Sequence, residues 1–213
     1  MKIAVYSAKG GVGKSPISQN IIFDRGYAVG TNELSHLYGD MLPENRVLEI
    51  EEGDEFPELP DETNIVFDLG GSLSRGSAPS VLSAVRQADL VIVPCFNDPD
   101  AINKSALTLL EVREVNPNIL VVATKLEKRG KESFTDWSQS YEFQFITGQL
   151  DARTDHKWPA VPLKKTRVFE AVQEQRKSIA QICDGFGLDR YLHRAINDQF
   201  NAIYQFIDGG AYA

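Results

Sequence analysis

The sequence predicts an α/β fold, a mostly parallel twisted sheet with helices on both faces, and three observations carry that expectation. A glycine-rich stretch, Lys9-Gly10-Gly11-Val12-Gly13-Lys14-Ser15, follows the apolar run at residues 3–6 and precedes a helical pattern. Near-continuous apolar runs within residues 64–71, 88–94 and 119–123 suit strands covered on both faces. Helix-periodic segments stand between these runs. In such an alternation the ligand lies outside the carboxyl ends of the strands.

The first element is the apolar run that leads into the glycine loop. A strand feeding a glycine-rich turn that opens a helix lets backbone N–H groups converge on phosphate oxygens. Lys14 supplies an ammonium for the terminal phosphates and Ser15 a hydroxyl for Mg²⁺. The usual pattern's first glycine is replaced by Ala8, and a second lysine, Lys9, starts the loop. Pro16 fits the first turn of a helix, where the missing N–H has no intrahelical partner. It also removes a donor expected on the α-phosphate. Losing a hydrogen bond to a charged group costs about 1.5–3 kcal/mol, so weakened nucleotide binding is expected.

The later elements follow in order. Ile17, Ile21 and Ile22 share one helical face, and Asp24-Arg25-Gly26 ends that helix. Residues 27–32 form a short strand containing Gly30. Residues 36–62 are polar, acidic and punctuated by Pro43, Gly53, Pro57 and Pro60, so an exposed insertion near the nucleotide is expected, with one strand-like run at 47–50. The strand in 64–71 ends in Asp68, followed by Gly70. An acid there organises Mg²⁺ through water, and a glycine there lets the turn move with a γ-phosphate.

A helix is expected at 80–87, a strand at 88–94, and a helix at 100–115 that buries Ala101, Ala106, Leu109, Leu110 and Val112. Thr124-Lys125 closes the strand at 119–123. Residues 130–140 read as helical, 142–147 as a strand, and 159–179 as a turn followed by a helix. The last helix, 188–207, offers Tyr191, Leu192, Ala195, Ile196, Phe200, Ile203 and Tyr204 for docking on the domain or on a second subunit.

With 213 residues, a single domain over 1–213 is expected. No stretch approaches a transmembrane span, and Met1-Lys2 leads straight into the first strand, so a cytoplasmic location is expected. Cys95 and Cys183 are too few for a disulfide framework. His36, His156 and His193 lack second ligands at useful spacing. A net charge of −8 argues against a broad DNA footprint, although residues 157–177 are locally basic.

The stretch KGGVGKS resembles the deviant Walker A signature of the ParA/MinD superfamily of P-loop ATPases, and ADLVIVP at 88–94 and the late PL turn with KSI at 177–179 are similar to later family patterns. The resemblance implies ATP or ADP with Mg²⁺ as ligands and a nucleotide-dependent homodimer in which Lys9 reaches the partner subunit's nucleotide. It implies catalytic roles for Lys9, Lys14 and Asp68, nucleotide contacts from Gly10, Gly11, Val12, Gly13, Lys14, Ser15 and Pro16, and metal contacts from Ser15 and Asp68. Gly70 falls at the γ-phosphate, Thr124 and Lys125 at the adenine, and Pro162 and Leu163 in a turn around the base.

Relatives end their second strand in aspartates that meet Mg²⁺ and the attacking water. Here that stretch is Thr31-Asn32-Glu33-Leu34-Ser35. Glu33 either substitutes through a longer arm or is a solvated acid at a strand end. The implied role is plasmid or DNA partition with a DNA-binding partner protein, by a weak or partner-stimulated ATPase. DNA contact would fall to Lys164, Lys165, Arg167, Arg176 and Lys177. A nucleotide-responsive adaptor with little hydrolysis is the alternative.

Overall fold

β1 (Lys2–Tyr6) lies at the centre of a seven-stranded sheet whose order is β3-β2-β4-β1-β5-β6-β7. The other strands are β2 (Ala28–Thr31), β3 (Val47–Glu49), β4 (Ile65–Leu69), β5 (Leu90–Cys95), β6 (Ile119–Leu126) and β7 (Ala160–Lys164). All the pairings are parallel. This computed structural model describes residues 1–33, 37–51, 53–70, 78–185 and 187–209. Leu34, Ser35, His36 and Gly71 lie outside the described residues.

The helices are α1 (Lys14–Arg25), α2 (Ala78–Gln87), α3 (Pro99–Arg113), α4 (Tyr141–Thr154), α5 (Val168–Gln175), α6 (Ile179–Cys183) and α7 (Asp189–Gly209). Side chains alternate across a strand, so β1 feeds two cores. Ile3 and Val5 pack with Ile17, Ile21, Val172, Ile196 and Phe200 on one face. Ala4 and Tyr6 pack with Val81, Leu109 and Ile146 on the other. Both faces of the sheet are therefore covered, which is why its strands read as continuous apolar runs.

Register brings the carboxyl ends together. Asp68 on β4 is level with Val5 on β1 and with Thr31 on β2. The chain leaves β1 for β2 on one side and crosses from β4 to β5 on the other, so the order reverses beside β1. A crevice opens at such a point in parallel sheets.

Several expectations are corrected. Residues 160–164, expected within a turn that holds Pro162 and Leu163, form strand β7, because Val161 and Leu163 are buried and the strand pairs with β6. Residues 130–140 hold only a 3₁₀ turn, Trp137–Gln139, because Asp136 caps Ser138 and the chain then turns into α4. Residues 142–147 belong to α4, not to a strand. Ser140 caps that helix by accepting from the Phe143 N–H, and Ile146, Leu150 and Thr154 bury one helical face at four-residue spacing. The segment expected as an exposed insertion buries Tyr38, Leu42 and Phe56. On α7, expected to dock on the domain or on a second subunit, Ile196, Phe200, Ile203 and Tyr204 are buried against the domain, and Tyr191 and Leu192 are 82% and 57% exposed. Among the expectations that hold, α1 ends at Arg25 with Gly26 at φ 67°, a left-handed cap that glycine adopts without strain.

Candidate nucleotide site

The loop between β1 and α1 sits at this crevice. Gly11 and Gly13 take φ of 71° and 101°, where a side chain would be strained. α1 begins without a side-chain cap and without an acidic residue in its first turn. Its first N–H groups and the positive end of its dipole are therefore left for an anion. The end of β6 holds the loop from beneath. Thr124 Oγ1 donates to the Val12 carbonyl at 2.7 Å, and Lys125 Nζ donates to the Gly11 carbonyl at 2.6 Å.

Thr124 is thus buried under the loop with its hydroxyl committed, and Lys125 also lies over the Phe96 ring at 4.7 Å. A hollow of about 370 Å³ opens beside them, lined by Gly13, Pro16, Lys125, Leu163, Thr166 and Phe169 among others. Leu163 faces this hollow. Pro162 lines a different one, with Trp137 and Tyr191.

Asp68 is 5% exposed. Its Oδ2 accepts from the Tyr38 hydroxyl at 2.7 Å, and its Oδ1 has no hydrogen-bond partner. Burial pushes the carboxyl's pKa up, while Tyr38, Ser15 and Lys14 pull it back down. Burial and the neighbouring Asp68 hold the Tyr38 phenol well above its ordinary value, so Tyr38 stays a neutral donor. A buried carboxylate oxygen without a donor, beside a serine hydroxyl, fits a divalent cation.

Asn32 and Glu33 close the site from β2. Asn32 is 6% exposed and bonds both backbone groups of Gly70: its Oδ1 accepts from the Gly70 N–H at 2.8 Å, and its Nδ2 donates to the Gly70 carbonyl at 3.2 Å. Nδ2 also donates to Ser80 Oγ at 2.7 Å. Glu33 lies against Gly70 so closely that any Cβ there would overlap the glutamate side chain. The structure thus sets Lys14 and Ser15 beside Asp68, and Glu33 against Gly70 two residues farther on.

Lys9 points elsewhere. Its Nζ pairs with Asp100 Oδ2 at 2.8 Å, and Asp100 also pairs with Lys104 at 3.2 Å. This contact raises the Lys9 pKa and lowers that of Asp100. The basic residues near α5 are split. Arg167 and Arg176 stand at opposite ends of that helix, Lys165 pairs with Glu127 at 2.5 Å, and Arg176 shares a hollow with Asp40, Glu170 and Glu174.

Sequence reasoning missed two residues. Tyr38 sits in a polar acidic stretch with no periodicity to betray its burial. Asn32 was visible beside Glu33, and its amide, a donor and acceptor in one group, was the available signal.

No protein-family model matches the sequence, and no curated protein does. Solved structures match it in fold. The cell division ATPase MinD of Pyrococcus furiosus superposes with a TM-score of 0.62 at 13% identity, over 95% of this chain and 99% of that one. An ATP complex of a McdA variant from Cyanothece gives 0.60 at 11% identity, over 100% and 98%. The MinC:MinD cell division complex of Aquifex aeolicus gives 0.58 at 15% identity, over 99% and 97%. The α/β fold, a parallel sheet between two helical layers, is the one these structures share.

Proposed function

We propose that the chain is a ParA/MinD-like protein that binds ATP with Mg²⁺ and uses slow hydrolysis as a dimerisation switch in partitioning or positioning a DNA cargo. One observation carries this reading. The uncapped start of α1, with Lys14 and Ser15, faces a buried Asp68 whose Oδ1 lacks a partner. Phosphoryl transfer to water needs positioning and charge stabilisation more than covalent chemistry. Lys14 neutralises terminal phosphate charge, and Ser15 and Asp68 hold the cation. When bound, Mg²⁺ draws charge from the phosphate oxygens. Glu33, which lies exposed against Gly70, is the carboxylate that would orient a water.

Lys9 serves the partner subunit's nucleotide once its pairing with Asp100 is released, and Lys125, Leu163 and Pro16 wall the base hollow. A DNA-binding protein is the proposed partner. Direct DNA contact falls to Lys164, Lys165, Arg167, Arg176 and Lys177, and the net charge of −8 keeps such contact weak. Among the described residues no helix is long and apolar enough to cross a membrane, and the proposed location is the cytoplasm.

A second reading, an adaptor that responds to nucleotide with little turnover, is favoured by Pro16 and by the absence of an aspartate at 31–35. Phosphate release from Mg–ATP, measured with DNA and partner present, separates the two. The ATPase reading expects a rate that Lys14→Ala abolishes, and a rate unchanged by that substitution contradicts it.

A further inference from the structure

Gly70 has one N–H to give, and it is given to Asn32. The same amide holds the Gly70 carbonyl, and it is anchored at Ser80 in the first turn of α2. Both Nδ2 protons are thereby used, and the clamping side chain is buried just beyond the end of β2. Gly70 stands two residues beyond Asp68, whose carboxylate lies within the influence of Lys14 and Ser15. In P-loop nucleotide sites the loop at this place is ordered by contact with the γ-phosphate. The Glu33 side chain lies over the same glycine and adds negative charge there.

We infer that Asn32 is a specificity-determining residue that biases the site toward a nucleoside diphosphate, by keeping the Gly70 N–H from the terminal phosphate of a triphosphate. A diphosphate enters with the clamp intact. A triphosphate gains the Gly70 N–H only after its hydrogen bond to Asn32 Oδ1 is given up. Replacing the amide frees the glycine for the γ-phosphate and leaves the loop at residues 9–15 untouched. The inference rests on the reading of that loop as a nucleotide phosphate site.

Calorimetric titration with Mg–ADP and with Mg–AMPPNP tests it on the native chain, Asn32→Ala, Ser80→Ala and Lys14→Ala. Asn32→Ala is expected to raise the AMPPNP-to-ADP affinity ratio about tenfold, with ADP binding changed less than about twofold. Ser80→Ala, which leaves Asn32 in place and removes one anchor, is expected to raise the ratio about threefold. It serves as the probe if Asn32→Ala does not fold. A ratio unchanged in the folded variants, while Lys14→Ala abolishes binding, overturns the inference and leaves the phosphate site standing. Binding that Lys14→Ala does not weaken, or no binding by the native chain, overturns both.

Discussion

Asp68→Asn should stabilise the unliganded protein while weakening its response to nucleotide and Mg²⁺. Asp68 is 5% exposed, its Oδ2 has a single protein donor in Tyr38, and its Oδ1 has none. An unsatisfied buried polar group costs about 1–3 kcal/mol, and more when charged. Asparagine removes the charge, keeps an oxygen for the Tyr38 hydroxyl, and turns an NH₂ toward the Ser15 and Ser18 hydroxyls near this carboxylate. The expected gain is about 1–2 kcal/mol. With a urea slope of about 2 kcal/mol/M, the unfolding midpoint rises by about 0.5–1 M. Fluorescence of Trp137 and Trp158 follows the transition. Saturating Mg–AMPPNP at about 100 times its Kd should add about 2.7 kcal/mol to the native chain and markedly less to the variant. A midpoint that falls at unchanged slope would show that the carboxylate is already well satisfied, and would refute its assignment to a cation.

Three further outcomes follow from other contacts. Asp100→Ala releases Lys9 and should lower the concentration at which Mg–ATP drives dimer formation by about two- to fivefold, read by sedimentation; an unchanged dimerisation constant counts against the idea that Asp100 parks Lys9. Pro16→Thr restores an N–H in the first turn of α1 and should tighten nucleotide binding by about 1.5 kcal/mol or more, read by titration; affinity no higher than native would sink the account of Pro16. Gly30→Ala would place a Cβ 2.6 Å from Phe67 Cδ1 and 3.1 Å from Phe56 Cε1, and should cost about 1–3 kcal/mol in urea unfolding. Wild-type stability in that variant would mean that the two rings yield freely.

The glycine loop and the central strands of the sheet were legible because each is a local pattern, whereas the edge strand β7 at 160–164 read as a turn. Seven specified positions at 9–15 and continuous apolar runs at β1, β4, β5 and β6 need no tertiary information. The 142–147 segment misled because its aromatic and β-branched content, Phe143, Phe145, Ile146 and Thr147, suits a strand, while the Ser140 cap and the packing of Ile146 and Leu150 selected a helix. Tyr38 was illegible for another reason. Its burial is enforced by Asp68, thirty residues away along the chain.

The site was half legible. Lys14, Ser15, Asp68 and Gly70 came from motif spacing, and the structure sets the first two beside Asp68 and lays Glu33 against Gly70. The clamp by Asn32 was not legible, since it depends on β2 and β4 lying side by side in register. Nor was the pairing of Lys9 with Asp100, which joins the loop to the first turn of α3.

The central claim is that the start of α1 binds the phosphates of ATP with Mg²⁺. A titration of the native chain and of Lys14→Ala with Mg–ATP tests it most directly. The account predicts saturable binding at one site per chain that Lys14→Ala weakens by at least about a hundredfold, the loss of a charge-assisted contact worth about 3 kcal/mol. Equal affinity in the two proteins would contradict it.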